Sequence, residues 1–294
     1  MHTEYAIAVD RELCRKCGLC VESCIHAKLV QPDRSKAPQV AENMDCIACG
    51  HCVAICPTGA LTHSAFEDGA IRSLDANLLP AAEQIMEALR ARRSYRKFKD
   101  EQVPREALEQ VVEAARLAPS AHNTQSTSYI VVTDPDMLKR VVDLTINFLD
   151  GLAKYFRHPI KGRIATMMGG DQVKGVLPMI PIFEGVVEMA RSGADMPMLL
   201  DAPAWIVFYS AKNTGFGAVN ASCAMQNAML MADRLGLGTF FTGFALAPTQ
   251  RGFLLHDLLG LDHEQEIHGA LAVGVPKLQY KKWASKKPAN VRWI

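Results

Sequence analysis

The sequence predicts an α+β protein with a small cysteine-rich domain followed by a larger domain in which helices and strands alternate. Eight of the nine cysteines lie within the first 56 of the 294 residues. That length is about twice that of a typical domain, which favours two domains. From about residue 80 onward, some stretches carry apolar residues at helical spacing and others form short β-rich runs. We therefore expect domains at residues 1–66 and 84–294, with residues 67–83 as a linker and 151–200 as an insert that shapes a substrate pocket.

Composition and charge indicate a soluble protein that binds neither nucleic acid nor a membrane. Apolar residues make up 49% of the chain and charged residues 21%, with a net charge of +1. No secretory signal opens the sequence, and no apolar run reaches about 18 residues. A cytoplasmic location is therefore expected. Because that compartment is reducing, dense cysteines there indicate metal ligands rather than disulfides.

The cysteines form two copies of the pattern C-x2-C-x2-C-x3-C, and each member of the second copy follows its counterpart by 32 positions. Such a repeat indicates a duplicated half-domain. Zinc sites usually take two separated pairs, whereas three close thiolates with a fourth nearby are typical of bacterial ferredoxins, where the fourth cysteine binds the other cluster. We assign one [4Fe–4S] cluster to Cys14, Cys17, Cys20 and Cys56 and a second to Cys46, Cys49, Cys52 and Cys24. A zinc module or a disulfide knot is the less favoured alternative.

One position departs from the ferredoxin pattern. Cys56 is followed by Pro57, as the pattern expects, but Cys24 is followed by Ile25. Proline would fix the backbone after the ligand. We expect its absence to change the hydrogen bonding around one cluster without removing a ligand.

Several segments of the larger domain have a clear secondary-structure pattern. Helical spacing is found in two early segments, and a third, nearly all-apolar segment that ends at glycines is expected to be a central helix. Short β-rich runs predict buried strands. The predicted helices are 80–92, 104–118 and 219–238, and the predicted strands are 128–133, 204–210 and 268–275.

Two basic stretches without carboxylates are candidates for phosphate binding. Residues 90–99 and residues 271–294 each contain six Lys or Arg side chains and no acid. Arginine forks and a serine hydroxyl in one segment suit a phosphate dianion. A solvated surface explains such runs equally well, so charge alone leaves both interpretations open. No glycine-rich dinucleotide motif follows a strand, so a nicotinamide-binding Rossmann unit is not supported.

Four segments in order resemble the FMN-dependent nitroreductase family. They are RRSYRKF (92–98), APSAHNTQ (118–125), LGLGTFFTG (235–243) and GVPK…KKP (274–288). The resemblance covers about residues 84–294 and favours the phosphate interpretation of the basic stretches. Together with the cysteine-rich part, the chain resembles the ferredoxin-domain nitroreductases that are found mainly in anaerobic microbes.

The resemblance implies an FMN site at the seam of a homodimer and a mixed sheet sandwiched by helices. The basic segment would hold the phosphate and the ribityl chain, a loop of the neighbouring subunit would line the flavin, and a later turn would lie near its N5 and pyrimidine edge. The implied FMN-binding residues are Arg92, Arg93, Ser94, Arg96, Pro119, Ser120, Asn123, Gln125, Thr242, Gly243 and Lys286. Where the family commonly has Gln-Pro-Trp, this chain has Gln125-Ser126-Thr127, which puts the rigidity of that loop in doubt.

The fusion predicts an oxidoreductase in which electrons pass from the clusters to FMN and on to a small electron-poor acceptor, such as a nitroaromatic, a quinone or an activated alkene. Reduced ferredoxin or another reduced donor would supply the electrons. In the insert, we expect an apolar lid and polar substrate contacts, and no general acid is assigned. The lid candidates are Met167, Met168 and Met179, and the polar candidates are Tyr155, Arg157 and His158. The alternatives are a module that relays electrons to a partner protein or senses redox state, and a specialised enzyme that dehalogenates or modifies a metabolite.

Overall fold

A computed structural model of the chain describes residues 5–67, 69–168, 170–193, 201–250 and 252–294. The chain divides into two compact units. The first contains the residues up to Pro80 together with His122–Thr124, and the second contains Ala81–Ala121 and Gln125–Ile294. No sequence pattern predicts that residues His122–Thr124 belong to the same unit as the N-terminal residues. Part of the predicted insert, residues 194–200, lies outside the described residues.

The first unit is a duplicated fold of short elements. Two antiparallel strand pairs and two one-turn helices form it: β1 (Ile7–Val9) with β4 (Leu61–His63), β2 (Leu29–Val30) with β3 (Gln39–Val40), α1 (Leu19–Glu22) and α2 (His51–Ala54). Each helix follows a glycine in the left-handed region, Gly18 with φ of 78° and Gly50 with φ of 77°. Glycine takes that conformation without steric cost. Because these glycines lie 32 positions apart, the sequence repeat is also a structural repeat.

The second unit holds the remaining helices and a four-stranded sheet. Its helices are α3 (Ala82–Ala91), α4 (Arg105–Arg116), α5 (Pro135–Arg157), α6 (Lys161–Met168), α7 (Gly170–Val176), α8 (Ile180–Arg191), α9 (Gly217–Arg234) and α10 (Leu254–Leu259). Its strands are β5 (Ser128–Val132), β6 (Ala204–Ala211), β7 (Gly238–Phe241) and β8 (Gln265–Gly274), in the spatial order β5-β6-β8-β7. All three ladders are antiparallel. A 3-10 segment, Gly243–Gln250, follows β7.

Alternation along β6 divides the core of this unit into two layers. Ile206 and Phe208 point to the face that is covered by α4 and α9, and Trp205 and Val207 point to the face that is covered by α5 and α10. All four side chains are fully buried. Successive side chains of a strand point to opposite faces, so a continuous apolar strand indicates a sheet covered on both sides. The predicted sandwich of helices around a sheet is confirmed.

The predicted α+β class is also confirmed, and so are the three predicted helices and three predicted strands, which match α3, α4, α9, β5, β6 and β8 within a few residues. Within the described ranges, the one parallel pairing of this sheet is an isolated bridge between Ser94 and Thr239, on the β7 side. Among the helices that the structure describes, none is long and apolar enough to cross a membrane.

Candidate cofactor sites

Four cysteines of the first unit line one small cavity. They are Cys14, Cys17, Cys20 and Cys56, the set predicted to hold the first cluster. Burial raises the pKa of the Cys20 thiol, and the neighbouring thiols of Cys56 and Cys17 raise it further. Although burial pushes the other way, hydrogen bonds from the backbone and from the Thr58 hydroxyl lower the pKa of Cys56. The structure therefore brings together thiols from both halves of the repeat, as the cysteine pattern predicts.

The other four cysteines form a second group of neighbouring thiols. Burial raises the pKa of Cys52 to about 11, and Cys24, Cys46 and Cys49 act on it in the same direction. Like charges disfavour ionisation only at short range, which agrees with these three thiols lying near Cys52. The group is the set predicted for the second cluster, again with one cysteine from the other half of the repeat.

These two groups fit iron–sulfur clusters. All nine cysteines are free thiols, and backbone N–H groups donate to the sulfurs: Lys16 to Cys14 at 3.4 Å, Ala48 to Cys46 at 3.4 Å and Ala60 to Cys56 at 3.3 Å. Such N–H···S bonds are among the interactions that set cluster potentials. In the part of the chain that the structure describes, no three His, Cys, Asp or Glu side chains converge as ligands of one metal ion. A single-ion site such as that of zinc is therefore not seen among the described residues, and the two sets of four thiolates match the ligand set of a four-iron cluster.

His63 is a buried side chain beside the second group of thiols. Its Nε2 lies 3.3 Å from Cys46 Sγ, and its Nδ1 accepts a hydrogen bond from the Ala65 N–H at 3.0 Å. Because Nδ1 accepts, the proton of the neutral ring sits on Nε2, which donates to the Cys46 sulfur. Burial lowers the pKa of His63 and so favours the neutral ring. Sequence reasoning missed this residue.

The predicted phosphate segment runs along the β7 edge of the sheet in the second unit. Ser94 bridges Thr239, and the Tyr95 N–H donates to the Thr239 carbonyl at 3.0 Å. The backbone therefore fixes the direction of the segment. The Arg93 guanidinium lies 5.4 Å from the centre of the Tyr280 ring. Arg92 ends α3 and is half-buried.

Arg96 and Gly243 line a cavity of about 480 Å³ that is otherwise mainly apolar. The other lining residues are Phe148, Leu152, Gly175, Val176, Met179, Phe183, Phe240, Phe241, Phe244 and Ala247. Residues of the predicted insert therefore meet two predicted FMN residues. A Cβ on Gly243 would meet no atom within 4 Å, so this backbone is open to a ligand.

The motif predicts Thr242 beside Gly243 in the flavin site, but the Thr242 side chain makes its hydrogen bonds inside the core. It is 1% exposed, and its hydroxyl accepts the Trp205 indole N–H at 2.7 Å and donates to the Ala270 carbonyl at 3.3 Å. A hydroxyl with both roles taken inside the protein is not turned toward a ligand. Of this predicted pair, the structure places only Gly243 at the cavity.

Pro119, Ser120 and Gln125 line a separate cavity of about 410 Å³, which Asn220 also lines. The Ser120 hydroxyl accepts the Gln125 N–H at 2.9 Å. Asn220 is 3% exposed on α9, and its Oδ1 accepts the Ala121 N–H at 3.0 Å. Asn220 thus anchors the loop, and an asparagine within an otherwise apolar helix was the signal for it. That the loop and Arg96 line different cavities agrees with the expectation that the two contact FMN from different subunits, which remains a prediction.

Besides Arg92, Arg93, Ser94 and Thr242, two more predicted FMN residues line neither cavity, Asn123 and Lys286. Asn123 lies in the first unit, where its Nδ2 donates to the carbonyls of Ile47 at 3.1 Å and Ala48 at 2.9 Å. Lys286 is exposed in the C-terminal segment that follows β8. Motif order placed both residues near FMN, but it carries no information on where a loop side chain points.

Most of the insert candidates have other roles. Arg157 makes a two-pronged ion pair with Glu184, both contacts at 2.8 Å, and the His158 ring accepts the N–H groups of Ile160 and Lys161 at the start of α6. The Tyr155 ring packs edge-on against Phe156. Met167 and Met168 are more than 80% exposed. Only Met179 of the predicted lid lines the cavity.

Profiles of two known families match the chain. The nitroreductase family matches residues 89–275, and a 4Fe-4S dicluster domain matches residues 6–57. Two relatives are iodotyrosine deiodinase 1 of Mus musculus, 27% identical over 66% of this chain and 63% of its own length, and a putative NADH dehydrogenase/NAD(P)H nitroreductase of Methanothermobacter thermautotrophicus, 28% identical over 54% of this chain and 60% of its own length. The chain therefore spans less than two thirds of the length of these two relatives.

Solved structures share the fold. A nitroreductase with bound FMN from Bacteroides fragilis matches 72% of this chain and 98% of its own, with a TM-score of 0.51 and 18% identity. An iodotyrosine deiodinase bound to FMN and 3-iodo-L-tyrosine matches 71% of this chain and 98% of its own, also with a TM-score of 0.51 and 18% identity.

Proposed function

Because the chain belongs to the nitroreductase family and carries a 4Fe-4S dicluster domain at its N-terminus, we propose that it is an FMN-dependent oxidoreductase that takes electrons from two [4Fe–4S] clusters. The observation that carries the proposal is the presence of both modules in one chain. The final acceptor is a small electron-poor molecule, and the working form is a homodimer in which two chains complete each flavin site. A reduced ferredoxin or a similar donor supplies electrons to the clusters.

The residues of the chain divide the work of holding the cofactors. The two groups of four cysteines bind the clusters. Arg92, Arg93, Ser94 and Arg96 hold the FMN phosphate and ribityl chain, with Lys286 as a further cation, and Gly243 gives the flavin ring access to open backbone. Pro119, Ser120 and Gln125 are contributed by the other subunit. When bound, the clusters supply electrons singly, and FMN collects two for delivery to the acceptor.

The cavity beside Arg96 favours an uncharged aromatic acceptor. Its walls include Phe148, Phe183, Phe241 and Phe244, and Arg96 is the one charged side chain among the described residues that line it. Aromatic walls stack on flat rings, and burying an unpaired charge is costly. A nitroaromatic or a quinone suits these walls better than a zwitterion.

The proposal is tested by anaerobic purification, followed by measurement of iron, sulfide and FMN and then photoreduction. We expect iron and sulfide for two clusters, about one FMN per chain, and bleaching of the flavin absorption after the clusters are reduced. Clusters that stay reduced beside an oxidised flavin would contradict the electron path. Turnover is then measured with nitroaromatic, quinone and alkene acceptors, with reduced ferredoxin and NAD(P)H as parallel donors. Tight one-electron exchange with a protein, without turnover of small acceptors, would instead indicate a relay.

A second candidate is reductive dehalogenation, which the match to mouse iodotyrosine deiodinase 1 favours. In that reaction an aryl iodide takes up two electrons and a proton, the carbon–iodine bond breaks, and the products are the arene and iodide. Including 3-iodo-L-tyrosine in the acceptor screen decides between the candidates. Iodide release faster than the reduction of any uncharged acceptor would make dehalogenation the leading candidate function.

A further inference from the structure

Gln31 and His63 are equivalent positions of the two halves of the cysteine-rich unit, 32 residues apart as the cysteines are, and their side chains differ. In the first half, Gln31 Nε2 donates to the carbonyls of Lys16 at 3.2 Å and Lys36 at 2.7 Å. Lys16 lies between the first two cysteines of its run. Gln31 therefore ties down the loop that carries the ligands of the first cluster.

In the second half, His63 is turned toward a ligand instead of the loop. The equivalent of Lys16 is Ala48, between Cys46 and Cys49. His63 donates from Nε2 to Cys46 Sγ, and its Nδ1 is occupied by the Ala65 N–H. Both ring nitrogens are in use, so His63 has no donor left for the Ala48 carbonyl.

Asn123 supplies the missing donor. Its Nδ2 donates to the carbonyls of Ala48 at 2.9 Å and Ile47 at 3.1 Å, so one amide holds two successive carbonyls of the loop. Lys16 and Ala48, with φ of 61° and 49°, are both in the left-handed region, where residues other than glycine are strained. A strained loop persists only if its surroundings hold it, and in both halves a side-chain amide does so.

The backbone around Asn123 is set to present this amide. His122 and Asn123 have φ of 52° and 53°, and asparagine tolerates the left-handed region better than most residues. The residues that flank the segment are bonded within the second unit, Ala121 to Asn220 and Gln125 to Ser120.

We propose that Asn123 is a positioning residue for the second cluster, which holds the loop between Cys46 and Cys49 as Gln31 holds the equivalent loop of the first. This inference rests on the proposed function only in that the eight cysteines carry clusters. It replaces the sequence-based expectation that Asn123 contacts FMN. Fixing the loop also fixes the Ala48 N–H that donates to Cys46 Sγ, and N–H···S bonds of this kind are among the determinants of cluster potential.

The test compares Asn123→Gly with Gln31→Ala in the full-length, anaerobically purified protein. Glycine keeps the left-handed backbone accessible while it removes the amide. Iron and FMN content, the electron paramagnetic resonance spectrum and the midpoint potential of each cluster are measured. Cys17→Ser and Cys49→Ser identify which signal belongs to which cluster.

We expect Asn123→Gly to alter the second cluster alone, with FMN content unchanged, and Gln31→Ala to alter the first alone. The alteration is loss of the iron of one cluster, or a severalfold change in its oxidised-to-reduced ratio at fixed potential, where tenfold corresponds to about 59 mV for one electron. Unchanged spectra and potentials in Asn123→Gly would overturn the inference. Loss of FMN with intact clusters would also overturn it and return Asn123 to the flavin site. Wild-type protein without iron would contradict both the proposed function and this inference, whereas iron-loaded wild-type protein with an unaltered Asn123→Gly variant would contradict the inference alone.

Discussion

Replacing Thr242 by valine tests whether this residue is held by the core rather than by a flavin. Valine keeps the shape of threonine but removes the hydroxyl that joins the Trp205 indole N–H to the Ala270 carbonyl. Trp205 is fully buried. Its N–H would lose its partner at a place that water does not reach.

The expected loss follows from these contacts. An unpaired buried donor costs about 1–3 kcal/mol. The Ala270 carbonyl loses less, because it still accepts the Thr242 N–H at 3.1 Å. We therefore expect Thr242→Val to lower the free energy of unfolding by about 2–3 kcal/mol. Thr242→Ser is the matched control, since it keeps the hydroxyl and removes one methyl group, at a cost of about 1 kcal/mol.

The assay is urea unfolding followed by far-ultraviolet circular dichroism, together with the dissociation constant for FMN. We expect the free energy of unfolding of Thr242→Val to be lower than that of Thr242→Ser by about 1 kcal/mol or more, the cost of the unpaired donor. The two variants should bind FMN with similar affinity when both are folded. Equal stability of the two variants would refute the assigned hydrogen bonds. A large loss of FMN affinity in a stable valine variant would place the hydroxyl at the flavin after all.

Three further predictions concern the phosphate site, the pocket wall and the half-buried His268. Substituting Arg92 and Arg96 together by alanine should release FMN and leave the cluster iron unchanged; unchanged flavin content would show that the phosphate site is misplaced. Met179→Ala should raise the KM for an aromatic acceptor several-fold, since Met179 lines the cavity, whereas Met167→Ala should not, since Met167 is 84% exposed. Equal effects of the two substitutions would contradict the assignment of this cavity to the acceptor. Burial lowers the pKa of His268, so the folded state binds fewer protons than the unfolded state, and the contribution of His268 to stability is present above about pH 6.5 and falls below it. His268→Gln should therefore make the free energy of unfolding depend less on pH between pH 7.5 and 5.5, a range of about one unit either side of the unfolded pKa. Urea midpoints that change with pH equally in the variant and the wild type would contradict this.

The sequence predicts best where a pattern repeats or a periodicity is long. The eight cysteines fall into their two predicted groups because ligand spacing constrains the chain locally. The central helix α9 and the apolar strands β6 and β8 are found because burial on all sides leaves a continuous apolar run. The predicted families of both parts are confirmed by the matched profiles.

The contacts of single side chains in loops and turns could not be predicted from the sequence. Thr242 and Asn123 lie in matching motifs, but which neighbour a side chain contacts depends on elements far away in the chain, such as β6 for one and the cysteine loop for the other. Arg157 and His158 are polar residues in a segment near the pocket, and each is already engaged in an ion pair or a helix start. Comparing the two halves of the repeat residue by residue would have exposed the difference between Gln31 and His63.

The backbone of residues 94–99 has a consequence for the solubility of this protein. β7 is the last strand of its sheet, and an uncovered last strand can pair with another molecule and start aggregation. The Tyr95 N–H occupies part of this edge through its hydrogen bond to the Thr239 carbonyl of β7, and the Lys99 N–H donates to the carbonyl of Val275, which directly follows β8. Cationic side chains on such a segment disfavour edge-to-edge pairing with a second copy. The arginines that we propose to bind the FMN phosphate thus have a second expected effect, the protection of this edge from pairing, so variants that neutralise them should be checked for self-association as well as for flavin loss.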